Sequence, residues 1–476
     1  MNSTLLVLLC ATVAHSWFGP NVRIDHQNHP AFECARPAVT LGPGAPSSQP
    51  IYVAFEADSF MGIAGANILF QKSTDAGRTW LSADVLLRRT ESRVEHPDIT
   101  TDPCGNVYVV YDSESAHMYC MRSTDGGATW SSPSLVDGGG IVVGSGRIAA
   151  DSAGNLLCAW NGRTLDDLHI FLSVSTDRGA TWKPGVRVDE DTTNWGCFQP
   201  DVFVQPGTND YLVAAEVPFQ GGAGTGCYLY RSTDMGKTFQ PGVRLDTFGV
   251  STYQGQPHVV ADGQHVICDY SGGGDQFCEA RTLYTLPDTW GAVHLIGHSY
   301  QNGDKLAISA DGRVHTALMV HVPGDIYHTY YSYSLDHGVS WSDPELVNND
   351  TAADAEESDI GADSVGHANI VWRDLRDGSL WFATNNPAGI AEQPVPQSAG
   401  VRSSPTVVRG VLFLAERPSS SASTSSLLDI SGREIMGLKP GANDVNRLSP
   451  GVYFVRSEPS AASRQQSAVT KVVVTR

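Results

Sequence analysis

Positive charge is scarce in this 476-residue chain: 31 Lys and Arg stand against 51 Asp and Glu, a formal charge of −20. A surface for duplex nucleic acid or anionic lipid needs the opposite sign, so nucleic acid is excluded as a partner. Long apolar runs are also missing. The apolar stretch at residues 5–14 falls short of the roughly 18–20 residues that cross a bilayer, so no transmembrane segment is expected. None of the nine cysteines has C-x-x-C spacing, and the histidines are scattered without ligand spacing. No metal site and no cofactor are therefore expected. Charged residues make up only 17%, whereas there are 48 Gly and 26 Pro, a balance that favours many strands and turns over long helices.

Residues 1–16 (MNSTLLVLLCATVAHS) read as an export signal without a basic start, with small residues for cleavage before Trp17. Eight cysteines remain after cleavage, an even number that an oxidising compartment could pair. Cys268 and Cys278 flank the turn SGGGDQ and are expected roughly opposite each other on adjacent strands.

One octet recurs. It reads STDAGRTW at 73–80, STDGGATW at 123–130, STDRGATW at 175–182, STDMGKTF at 232–239 and SLDHGVSW at 334–341, with a worn copy, TLPDTW, ending at Trp290. The period of about 52 residues signals a propeller or solenoid. Asp75, Asp125, Asp177, Asp234 and Asp336 are expected to bond nearby backbone N–H groups in a strand–strand turn. The glycine two residues on supplies a backbone angle that other residues resist, and the terminal Trp or Phe is expected to plug the blade core. Upstream of each octet lies a hairpin with turn residues at its bend, such as HPDITTDPCGNVYVVYD from His96 or QPHVVADGQHVICDY from Gln256. Seven such hairpins, all but the last followed by an octet or its worn copy and a short fourth strand, give an all-β fold: a β-propeller of seven blades, with six as the alternative count. The last unit lacks a clear fourth strand, and NVRIDHQ from Asn21 matches the missing piece, so the N-terminal segment is expected to close the ring and remove free sheet edges.

The repeat stops near residue 386. The organisation expected is a signal at 1–16, a propeller at 17–386, a Pro- and Ala-rich linker at 387–400 and a small β-sandwich at 401–476.

The octet resembles the Asp-box, or BNR repeat, of sialidase-type propellers over most of residues 21–386. The tail, with SPTVVRG near Ser404, LLDISGREI at 427–435, LSPGVYFVR at 448–456 and the terminal KVVVTR, resembles the type A sorting domain of type IX secretion. That resemblance implies a Gram-negative bacterium, passage through its periplasm to a secreted or surface location, and the type IX machinery as a partner. The propeller resemblance implies a glycan or glycoconjugate ligand.

In a propeller the first strands begin on one face of the channel. Those starts supply Arg36, His96, Arg147, Gln199, Gln256, Lys305 and Glu357, and the second-strand ends add Glu56, Asp58, Asp112, Glu216, Asp269, His321, Arg373 and Asp374. This ring reads either as a solvated channel mouth or as a ligand site. Sialidases clamp a carboxylate with three arginines and use an acid/base with a glutamate-activated tyrosine. On the match of ARPAV…IYVAFEADSF to the family's Arg-Ile-Pro start, Arg36 is one clamp arginine and Asp58 falls near the acid. Arg147 and Arg373 complete the clamp by location, and Glu216 supports a nucleophile. Where the family has its tyrosine this chain has Gly303 or Glu357, with Tyr327 on a different loop. Three readings stay open: sialic-acid cleavage, hydrolysis of another glycan by two ring carboxylates, and a non-catalytic glycan- or protein-binding propeller. Trp195, Phe198, Phe219, Phe248, Tyr253, Tyr300 and Tyr327 read as aromatics entering the open face or as loop packing.

Overall fold

The computed structural model describes residues 18–387 and 406–474. Excepted are 27–31, 60–66, 90–93, 114–116, 165–166, 192–195, 220–223, 247–254, 272–276, 285–288, 299–304, 323–325 and 351 in the first stretch. In the second, 409–410, 415–424, 429–432, 440, 446–447, 449–450 and 458–467 are excepted. The expected signal, and the expected linker beyond Pro387, thus lie outside the described residues.

Seven antiparallel four-stranded sheets form the first unit. Their inner strands are Phe32–Leu41, Val94–Thr101, Ile141–Ala150, Phe198–Val204, Gly255–Ala261, Lys305–Ile308 and Ala355–Ala362, one for each of blades 1 to 7. Each inner strand contacts that of the next blade, and the seventh contacts the first, so the ring is closed. Seven is the blade count. Blade 7 is completed as the sequence pattern implied: Val22–Arg23 pairs with Ser379–Thr384 as its fourth strand. Ile24 N–H donates to Leu380 O at 2.9 Å, and Leu380 N–H donates to Asp25 Oδ1 at 2.8 Å. This pairing covers the edge that would otherwise template aggregation.

The octets are the turns between third and fourth strands. In blade 2, Ser123 Oγ accepts Gly127 N–H at 2.7 Å and donates to Asp125 Oδ1. Asp125 in turn accepts the N–H of Thr129 at 2.9 Å and its hydroxyl at 2.6 Å. The same closed set recurs around Asp75, Asp177, Asp234 and Asp336. These bonds to the ionised form hold the Asp234 carboxyl down at about 2. The aromatic does not plug its own blade. Trp80 meets Phe382 of blade 7 edge-on at 5.0 Å, and Trp130 meets Phe70 of blade 1 at 5.1 Å. The octet is therefore a wedge between neighbours, because its turn folds back over the preceding blade. Gly127 shows why glycine is needed: its φ is +84°, and a Cβ there would lie 2.5 Å from the Phe70 ring.

Cys268 faces Arg281 and Cys278 faces Ser271 across the blade 5 hairpin, so the two cysteines are not opposed as expected.

The division between compact units falls between Glu392 and Gln393. The second unit has a five-stranded sheet and a two-stranded sheet, Val411–Leu414 with Gly441–Asp444, around Leu412, Leu427, Leu438, Val445 and Val455.

Candidate functional site

At the start of six inner strands the hairpin register slips. The shifts fall at 35/38, 95/98, 144/147, 198/201, 255/258 and 356/359. At each, a non-glycine residue takes the left-handed conformation: Arg36 (φ 46°), His96 (49°), Ser145 (58°), Gln199 (49°), Gln256 (52°) and Glu357 (52°). A bulge re-aims a side chain out of the alternating pattern, and such backbone costs about 1 kcal/mol or more per residue. Bonds between blades hold three of these positions. Arg36 N–H donates to Glu357 Oε2 at 2.8 Å, His96 N–H to Glu56 Oε2 at 3.3 Å, and Gln256 N–H to Gln199 Oε1 at 2.9 Å.

The result is a cavity of about 480 Å³ at the channel mouth. Arg36, His96, Arg147, Gln199, Gln256, Lys305 and Glu357 all line it, one from each blade, as the sequence ring implied. Met319, Tyr327, Glu356 and His258 join them and were not singled out as members of that ring.

The second-strand ends form a supporting layer behind the lining. Glu56 Oε1 accepts from Arg36 Nη1 at 2.7 Å, and Glu95 stands 3.7 Å from the same nitrogen. Burial raises the Glu56 carboxyl, against the pull of Arg36. Asp112 Oδ1 lies 3.0 Å from His96 Nδ1. Asp269 lies 3.1 Å from His258 Nδ1, and burial holds that imidazole neutral, pushed down to about 4. Arg373 sits 3.6 Å from Glu357 and does not line the cavity. Glu216 also stands behind the lining, against Gly255 of the next blade, with its carboxyl raised by burial. Asp58 is the last but one residue of the second strand of blade 1, in register with Glu33; its side chain lies outside the described residues.

Of the three sequence-derived arginines, the structure brings Arg36 and Arg147 to the cavity and keeps Arg373 beside Glu357. The two cavity arginines differ. Arg36 is held by carboxylates. Arg147 makes one side-chain bond among the described residues, to Gly146 O at 3.3 Å, and no ion pair.

Below the mouth, Asp98, Asp201 and Asp359 each accept a backbone N–H from the following blade: Ile148 at 2.8 Å, Val259 at 2.9 Å and Val39 at 2.7 Å. Lys305 Nζ bridges two of them, 3.7 Å from Asp98 and 3.5 Å from Asp359. Among the aromatics, Phe219 is buried under the Arg244 guanidinium, 4.4 Å away, rather than displayed on the open face. Phe198 is exposed, and Trp195, Phe248, Tyr253 and Tyr300, like Gly303, lie outside the described residues.

The family model for the BNR repeat-like domain matches residues 49–215 and 154–438. The chain belongs to the BNR repeat-like family. No curated protein matches the sequence. Among solved structures, an ulvan lyase of a new polysaccharide lyase family superposes on this BNR repeat-like chain with a TM-score of 0.51 at 10% identity, covering 76% of this chain and 93% of its own. A protein of unknown function from Dyadobacter fermentans gives 0.48 at 19% identity, over 66% and 97%. A sialidase from Streptococcus pneumoniae gives 0.46 at 13% identity, over 77% and 70%. At these identities the likeness is one of fold. A fold does not dictate an activity, so function rests on the mouth itself.

Proposed function

We propose that this BNR repeat-like propeller recognises a carboxylate-bearing glycan at its channel mouth. Arg147 carries the reading: it lines a concave polar cavity with no carboxylate partner among the described residues. A guanidinium so placed can take an external carboxylate through two parallel N–H bonds. Gln199 and Gln256 line the same cavity from the next two blades and offer amide groups to sugar hydroxyls, while Tyr327 offers an aromatic ring. The resemblance to sialidase-type propellers directs the ligand class to glycans. The test is binding of acidic oligosaccharides by the purified protein, with Arg147→Ala beside it.

A second reading adds cleavage of the sialidase type, and Tyr327 favours it. This phenol lines the cavity together with Glu356 and Glu357 of the next blade, and burial raises the Glu356 carboxyl as a proton donor requires. Asp58 remains the candidate from the family match for the acid, and Glu216 the candidate support of a nucleophile. Release of 4-methylumbelliferone from its sialic-acid conjugate, lost in Tyr327→Phe, tests this reading.

We infer further that the chain is exported to the surface of a Gram-negative bacterium, with the type IX machinery as partner of its tail. Support comes from the signal-like residues 1–16 and the ordered tail motifs. Truncation after residue 392 is expected to retain the propeller in the periplasm.

A further inference from the structure

On the end of the propeller away from the mouth, the turn between the first two strands of blade 5 meets the octet of blade 6. There Asp262, His265 and His337 bring one ligand atom each within 4.8 Å of one another. Sequence spacing hides the group, because His337 occupies an octet position filled by Ala76, Gly126, Arg178 or Met235 in the other copies.

The carboxylate is fixed before any ligand arrives. Asp262 Oδ1 accepts the backbone N–H groups of Gln264 and His265, each at 2.7 Å. Oδ2 then stands 3.0 Å from His265 Nδ1 and 2.9 Å from His337 Nδ1. The two imidazoles stack face to face, with centroids 3.9 Å apart and planes 16° apart. His337 is itself held by its left-handed backbone (φ 59°) and by Thr282 Oγ1, which donates to its carbonyl at 2.5 Å. The edge of Tyr284 packs on the His265 ring.

Hydrogen bonding alone leaves this arrangement incomplete. The contact from His337 Nδ1 to Asp262 is close but misaligned, and that buried nitrogen has no hydrogen-bond partner among the described residues. Two imidazole nitrogens and a carboxylate oxygen within 4.8 Å of one another instead make a donor set that a divalent ion can gather. Ligand atoms about 2.0–2.2 Å from an ion lie roughly 2.9–3.5 Å apart at angles between a right angle and the tetrahedral one, which brackets the short contacts here. A donor set of two imidazoles and one carboxylate suits zinc and its neighbours rather than calcium or magnesium. The side chains of Asp262 and His337 are 23% and 36% exposed, so water can complete the coordination.

A second cluster, His169, Asp189 and Cys197, argues the contrast. It is buried throughout, Asp189 is occupied by Arg187, Ile170 N–H and Asp191 N–H, and burial pushes the Cys197 thiol up. That cluster is satisfied by the protein.

We propose that Asp262, His265 and His337 form a divalent transition-metal site of the zinc class, clamping blade 5 to blade 6. The test uses the full chain after chelator treatment, titrated calorimetrically with zinc chloride, together with His337→Ala and Asp262→Asn. One equivalent should bind the wild type and raise its Tm. Both variants should lose affinity by about tenfold or more. Cobalt(II) should give visible ligand-field bands in the wild type that are absent from His337→Ala, and Asp262→Asn, which keeps the size of the side chain, guards against simple misfolding. Absence of zinc binding by the wild type, or equal binding by both folded variants, overturns the proposal and leaves two stacked imidazoles sharing one carboxylate.

Discussion

The backbone N–H of Arg36 donates to Oε2 of Glu357 at 2.8 Å, joining residues 321 apart in sequence across the seam where the last blade meets the first. The Arg36 guanidinium turns the other way, to Glu56 and Glu95. Arg36 is thereby committed to the frame of the mouth, whereas Arg147 has no carboxylate partner among the described residues.

Arg36→Ala strands the buried Glu56 carboxylate without its 2.7 Å partner. Urea denaturation should show a loss of about 1–3 kcal/mol. Arg147→Ala should stay within about 0.5 kcal/mol of the wild type.

Glycines with positive φ separate backbone strain from crowding. Gly127→Ala meets both, with φ +84° and a Cβ 2.5 Å from Phe70, whereas Gly139→Ala meets strain alone, with φ +93° and open space around it. Expected losses are about 2–4 kcal/mol for the first and about 1 kcal/mol for the second. Equal losses in chemical denaturation would remove the wedge role assigned to the octet.

His315 is buried between Tyr331 Oη at 2.8 Å and Ser309 Oγ at 3.3 Å, and burial pushes its imidazole down to about 3 from 6.5. Between those values the unfolded chain binds the extra proton, so stability rises with pH and is lost as pH falls from about 6.5 toward 3. His258, at about 4, acts in the same sense. Glu56 and Glu216, both raised from 4.5, act in the opposite one and lower stability as pH rises through their titrations. His315→Gln should therefore reduce the slope of unfolding free energy against pH by up to about 1.4 kcal/mol per pH unit between pH 5 and 6.5. An unchanged slope would show that this histidine is not held neutral.

The repeat and the ring were legible because their determinants are local. Ser123, Asp125, Gly127 and Thr129 bond within one turn, so the octet announces its own structure, and NVRID matched the other fourth strands closely enough to place the closure. The seven mouth positions were legible for a related reason, since each opens a recognisable first strand. What escaped depends on neighbouring blades. Trp130 packs on Phe70 of the blade before it. Arg36 meets Glu95 of the blade after it. His337 meets Asp262 across a blade junction. Spacing along a chain does not encode approach between blades.

Removing residues 17–25 deletes the strand Val22–Arg23 and the Asp25 carboxylate that holds Leu380 N–H. The exposed edge of blade 7 should then lower Tm and produce concentration-dependent association in size-exclusion chromatography. A monomeric variant with unchanged Tm would show that the closure is dispensable.

The most direct test of the account is calorimetric titration of the purified protein with sialic-acid- and uronic-acid-containing oligosaccharides, repeated with Arg147→Ala. The account predicts binding of a carboxylate-bearing glycan that weakens about tenfold or more in the variant, as loss of a bidentate charged contact requires. Failure to bind any acidic glycan, or equal affinity in the two proteins, would contradict it.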